Sequence, residues 1–173
     1  SYNTAVGSGA LTANTTGALN TAVGGNAGVA LTTGGGNTTV GVDSLGSATT
    51  SANNTAVGYY SLAVNTTGEN NVAVGKSALA ANTTATGNIA VGMNCLDANT
   101  TGGTNTGVGY YALSANTEAG FNTAIGNASM QASNGAVGCT AVGSSSLNAA
   151  TTGDYNVAVG FNAGLVMTSG DRN

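Results

Sequence analysis

The sequence has no histidine and only two cysteines, Cys95 and Cys139. Its acidic residues are scattered, so no acid–base pair, nucleophile constellation or zinc set can be put together from it. The chain therefore reads as neither an enzyme nor a holder of a metal or cofactor. Two cysteines are too few for a disulfide framework. Basic residues are equally scarce, Lys76 and Arg172 being the whole supply. That excludes a nucleic-acid groove, which needs clustered positive charge, and electrostatic anchoring on an anionic membrane. There is no run of 18 apolar residues to span a bilayer. The opening "SYNTAVGSGA" lacks the basic region and apolar stretch of a signal peptide. Leu, Ile, Val and Phe make up only about 17% of the chain. That scarcity is a mark of disorder, yet the net charge of −4 is low for a disordered chain.

What is present is repetition. "NTAVGYYSLAVNTTGEN" (54–70) is followed at once by "NVAVGKSALAANTTATG" (71–87). A glycine after Val or Ile recurs every 17 residues: Gly7, Gly24, Gly41, Gly58, Gly75, Gly92, Gly109, Gly126, Gly143 and Gly160. No insertion interrupts this register, and a disordered chain has no physical reason to keep one. Cut before each Asn, residues 3–172 form ten rungs within one repeat region, 1–173. Column one is Asn except at Cys139, and column four is Val except at Ile125. Column nine is Leu in seven rungs and Met130 in another, while Gly28 and Gly164 stand there in the other two, each followed by an apolar residue (Val29, Leu165). Column thirteen is Thr except at Asn134.

The load of Gly, Thr and Asn penalises a helical repeat. The expectation is an all-β fold, a parallel β-solenoid of ten 17-residue coils stacked about 4.8 Å apart. "NTAVG" reads as one short strand, with Thr and Val on one side and Ala and Gly on the other. A second strand is expected around "SLAVN", and "NTTGEN" turns the chain back. Ladders of like Asn or Thr side chains can bond to their copies in adjacent rungs. The invariant glycine implies a positive φ or a close backbone neighbour. One Val and one Leu per coil bury little apolar surface for 17 ordered residues. An oligomer packed through the small Ala-and-Gly face follows as an expectation. Cys95 and Cys139 lie in different columns three rungs apart, too distant to pair.

"NTAVGYYSL" (54–62) resembles the repeats of trimeric autotransporter adhesin heads. The fuller unit "NTAVGYYSLAVNTTG" (54–68) resembles repeats in phage tail-fibre shafts. The resemblance covers essentially the whole chain. It implies a left-handed parallel β-roll, a homotrimer, and a place on a virion or an extracellular cell surface. The implied role is a structural or adhesive segment that spaces or presents a receptor-binding tip, its partner a host-surface glycan or protein. An ice-binding solenoid is the alternative, since regular Thr columns on a flat β face order water. Against it, column two is broken by Val72, Ile89 and Val157.

Other motifs are weaker. "GVGYY" and "GGGNTTVG" have the glycines of a phosphate loop but not its lysine or its strand–loop–helix setting. Calcium-binding rolls need recurrent Asp, which these rungs lack. Tyr59, Tyr60, Tyr110 and Tyr111, which follow the invariant glycine in rungs four and seven, are the candidate surface ligand contacts, as sugar-stacking rings; the other reading of them is a ridge that packs against a neighbouring chain. Sequons such as Asn65-Thr66-Thr67 recur with the repeat. Neither "SYN" nor "SGDRN" looks like a cap. Ser1 and Tyr2 fit the last columns of a preceding rung and Asn173 the first of a following one, so an internal section of a longer fibre, or copies joined end to end, is expected.

Overall fold

The computed structural model describes residues 2–172, so the fit of Ser1 and Asn173 to the repeat lies outside the described residues. Ten three-residue strands follow one another: β1 (Thr4–Val6), β2 (Thr21–Val23), β3 (Thr38–Val40), β4 (Thr55–Val57), β5 (Val72–Val74), β6 (Ile89–Val91), β7 (Thr106–Val108), β8 (Thr123–Ile125), β9 (Thr140–Val142) and β10 (Val157–Val159). They form a single parallel sheet in sequence order. Each residue pairs with the one 17 positions on, as Thr55 with Val72 and Val57 with Val74. The fold is a parallel β-solenoid of about nine turns, all-β, with no helix among the described residues.

The expected second strand around "SLAVN" is absent, because the Leu column holds a left-handed backbone. Leu11, Leu45, Leu62, Leu79, Leu96, Leu113, Met130 and Leu147 have φ between 46 and 53°. Columns seven and seventeen are left-handed too, as at Tyr60 (φ 58°) and Thr104 (φ 60°). Such conformations cost non-glycine residues about 1–2 kcal/mol each. Here these residues send their N–H groups along the stack to neighbouring rungs. Tyr60 donates to the Val42 carbonyl (3.1 Å), Leu62 to Ala78 (3.0 Å) and Thr104 to Thr86 (3.0 Å). The corners are thus hydrogen-bonded from rung to rung like the strand itself.

The glycine column combines both expected reasons. Gly75 has φ 135°, and a Cβ on it would stand 2.5 Å from the Gly92 carbonyl oxygen. No side chain fits that approach.

The direction of alternation is opposite to the expectation. Column-three alanines such as Ala22, Ala56, Ala73 and Ala90 are fully buried, while the flanking Thr and Val side chains are half-buried or exposed. The interior is too narrow for Val in that column: Ala there faces a small residue of column eight and the Leu of column nine. The outward face of the sheet therefore carries Thr and Val, not Ala and Gly.

Substitutions in the Leu column are also compensated differently. Gly28 is answered by Leu31, three positions later and fully buried, and Gly164 by Met167, which packs against the core. A Cβ on Gly28 would lie 3.2 Å from Leu11 Cδ2 and 3.9 Å from Leu31 Cβ. Val29 is half-buried, and Leu165 is among the exposed apolar residues.

A polar seam fills the other half of the core. Asn54 Nδ2 donates to the Gly68 carbonyl (2.9 Å), and Asn65 Nδ2 donates to the same oxygen (3.0 Å). Asn71 and Asn82 do the same to Ala85, and Asn88 and Asn99 to Gly102. From Asn3 to Asn122, each column-one Oδ1 accepts the backbone N–H of the next column-one residue, as Asn88 does from Asn105 (2.8 Å). Column twelve forms its own ladder, with Asn82 donating to Asn65, Asn99 to Asn82 and Asn116 to Asn99. Buried amides satisfied in this way are stabilising, whereas the same groups unpaired would be costly.

Candidate binding ridge

Column six follows the glycine turn, where the chain leaves the sheet and its side chains project outward. In rungs three to seven this column reads Val42, Tyr59, Lys76, Met93 and Tyr110. All five are exposed, Tyr59 at 51% and Tyr110 at 44%. At the spacing of stacked strands, Tyr59 and Tyr110 stand about 14 Å apart. The ridge is thus a short exposed strip with a ring toward each end and Lys76 at its middle.

Each ring is braced by its neighbour in column seven. Tyr59 and Tyr60 meet at 4.6 Å between centroids with their planes at 55°. Tyr110 and Tyr111 meet edge-on at 4.3 Å and 77°. Such tilted pairs are favoured by the ring quadrupoles. A hydrogen bond with Tyr111 holds the Tyr110 phenol above its ordinary pKa. Tyr60 also lines a shallow hollow of about 230 Å³ with Asp43, Ser47 and Val64. There the Asp43 carboxylate accepts from Asn26 Nδ2 at 3.0 Å.

Lys76 lies between the two tyrosine pairs and makes no ion pair among the described residues. Arg172, the other cation, sits in the last rung, 5.8 Å from the Tyr155 ring. The ridge therefore carries a single positive charge. Sequence reasoning picked out the tyrosine pairs but missed Lys76, Met93 and Val42. Reading column six from rung to rung, instead of tyrosine by tyrosine, reveals them.

The other singled-out residues are structural. Cys95 and Cys139 are both free thiols and both buried. Burial pushes the Cys95 thiol up to about 12 and raises Cys139 as well, so neither is a ready nucleophile. Cys139 takes over both roles of the asparagine it replaces. Its thiol donates to the Gly153 carbonyl (3.2 Å) and its sulfur accepts the Asn156 N–H (3.4 Å).

Asn65, the sequon asparagine, is fully buried with its amide in the seam, so a glycan cannot be accommodated there in the folded rung. Among the described residues, no three His, Cys, Asp or Glu side chains gather as a metal set. In comparisons with known proteins, the chain matches no family model, no curated protein and no solved structure.

Proposed function

We propose that the chain is a segment of a structural and adhesive fibre on a virion or cell surface, whose copies associate side by side through the Thr/Val face of the sheet. The resemblance of "NTAVGYYSLAVNTTG" to fibre and adhesin repeats makes the assembly a left-handed homotrimer that spaces or presents a receptor-binding tip. One observation carries the reading. The outward face of the ten-stranded sheet is a continuous row of β-branched side chains, while the interior holds about one large apolar residue per rung. A regular row of partly exposed β-branched side chains along one face is a surface that a second copy can cover. Covering it supplies burial that a single chain lacks.

The ice-binding reading is favoured by a different feature of the same face. Thr21, Thr38, Thr55, Thr106, Thr123 and Thr140 point outward, and their hydroxyls have no protein partner among the described residues. In contrast, the column-thirteen hydroxyls are engaged, as Thr66 and Thr83 are with carbonyls of the next rung. Val72, Ile89 and Val157 interrupt the outward Thr row, which supports packing over ice recognition.

Charge on the face separates the two readings. Val74→Lys with Val108→Lys should reduce the assembly to single chains, and the parent should show no thermal hysteresis. An unchanged mass, together with hysteresis that Thr106→Lys abolishes, would favour ice binding.

A further inference from the structure

We propose that the column-six ridge of rungs four to seven is a binding site for an acidic saccharide, with sugar rings on Tyr59 and Tyr110 and an anionic group on Lys76. The inference rests on the adhesive reading and adds to it a ligand class and the residues that contact it.

The chemistry follows from what the ridge offers. Two braced, exposed phenol side chains combine an apolar ring with a polar hydroxyl, a character that suits the apolar face of a pyranose ring. Between them stands one flexible ammonium with no partner among the described residues. No other residue of column six in these rungs is charged, since Met93 occupies the remaining place. A single cation is too little for a nucleic acid, whose binding depends on neutralising many phosphates. It matches a saccharide carrying one carboxylate or sulfate among several neutral sugars. The ridge also runs along the rod axis, so an extended oligosaccharide about 14 Å long spans both rings. The protein as a whole is acidic, so an anionic ligand is held by local charge on the ridge and not by a general field.

The test uses the full chain in its assembled form, with trigalacturonate and 3′-sialyllactose as acidic probes and maltotriose as the neutral one. Binding is read by ligand-observed saturation transfer and titration calorimetry, with the mass measured on the same samples. At least one acidic probe should bind, with Tyr59→Ala and Tyr110→Ala each weakening it about tenfold or more. Lys76→Gln should lower its affinity to that of maltotriose and remove its dependence on salt. These side chains are exposed, so folding should be unaffected.

No binding of either acidic probe by a correctly assembled sample would overturn the inference and leave the fibre reading intact. So would Lys76→Gln binding as the parent does, or tyrosines that resist nitration in the assembly, which would mark the ridge as an interface between copies. Binding by a chain that proves monomeric would uphold the site and reject the fibre.

Discussion

At column three of rung seven the chain has Gly107 where most rungs have alanine. A Cβ there would lie 2.5 Å from Cys95 Sγ and 3.4 Å from Leu96 Cδ1. Cys95 occupies the facing column in the rung before, where other rungs carry only small residues. The larger sulfur and the missing methyl thus form a matched pair. Gly107→Ala alone should cost about 1–3 kcal/mol through overpacking. In a Cys95→Ala background it should cost little, because the space is open again. A double-mutant cycle read by chemical denaturation measures the coupling. Equal penalties in both backgrounds would mean the two positions are independent. Neither cysteine nor glycine signals this pairing in the sequence, since the columns face each other only once the rung closes.

At the scale of the element, each rung is one short strand followed by corners that stack as regularly as the strand does. The 17-residue period, the strand at "NTAVG", the glycine column and the possibility of Asn ladders were all legible in the sequence. The direction of alternation was not. A three-residue strand Thr-Ala-Val fits either orientation, and the larger Val argued for the inside until the narrow interior placed Ala there. The second strand was misread because Leu and Val at alternate places in "SLAVN" fit a strand's period of two, whereas the Leu backbone here is left-handed and serves an inter-rung hydrogen bond. On the ridge, the tyrosines were legible as exposed aromatics, but the lysine gains its meaning only from its place between them.

The polar seam provides the sharpest test of the rung. Asn88 accepts from Asn105 N–H and donates to the Gly102 carbonyl, both buried. Asn88→Ala should cost about 2–4 kcal/mol, since it leaves a buried donor unpaired and opens a cavity. Asn88→Cys should cost clearly less, because the thiol at Cys139 already performs both tasks in rung nine. If Cys and Ala at position 88 destabilise equally in thermal melts, the ladder is not what holds that column.

For the whole molecule, the solenoid and its outward Thr/Val face support the central proposal that the folded chain is a protomer of a laterally associated rod. Its interior combines an apolar Leu column with an asparagine seam, and a regular row of partly exposed Thr and Val side chains faces outward. Obligate assemblies of this kind have no well-separated monomer stability. The measurement that tests this most directly is the mass of the parent chain by light scattering over a hundredfold dilution, with circular dichroism on the same samples. The account predicts three times the 16.3 kDa chain mass, held throughout, with loss of structure whenever the assembly comes apart. A particle of one chain mass that keeps its β signal at the lowest concentration would contradict it.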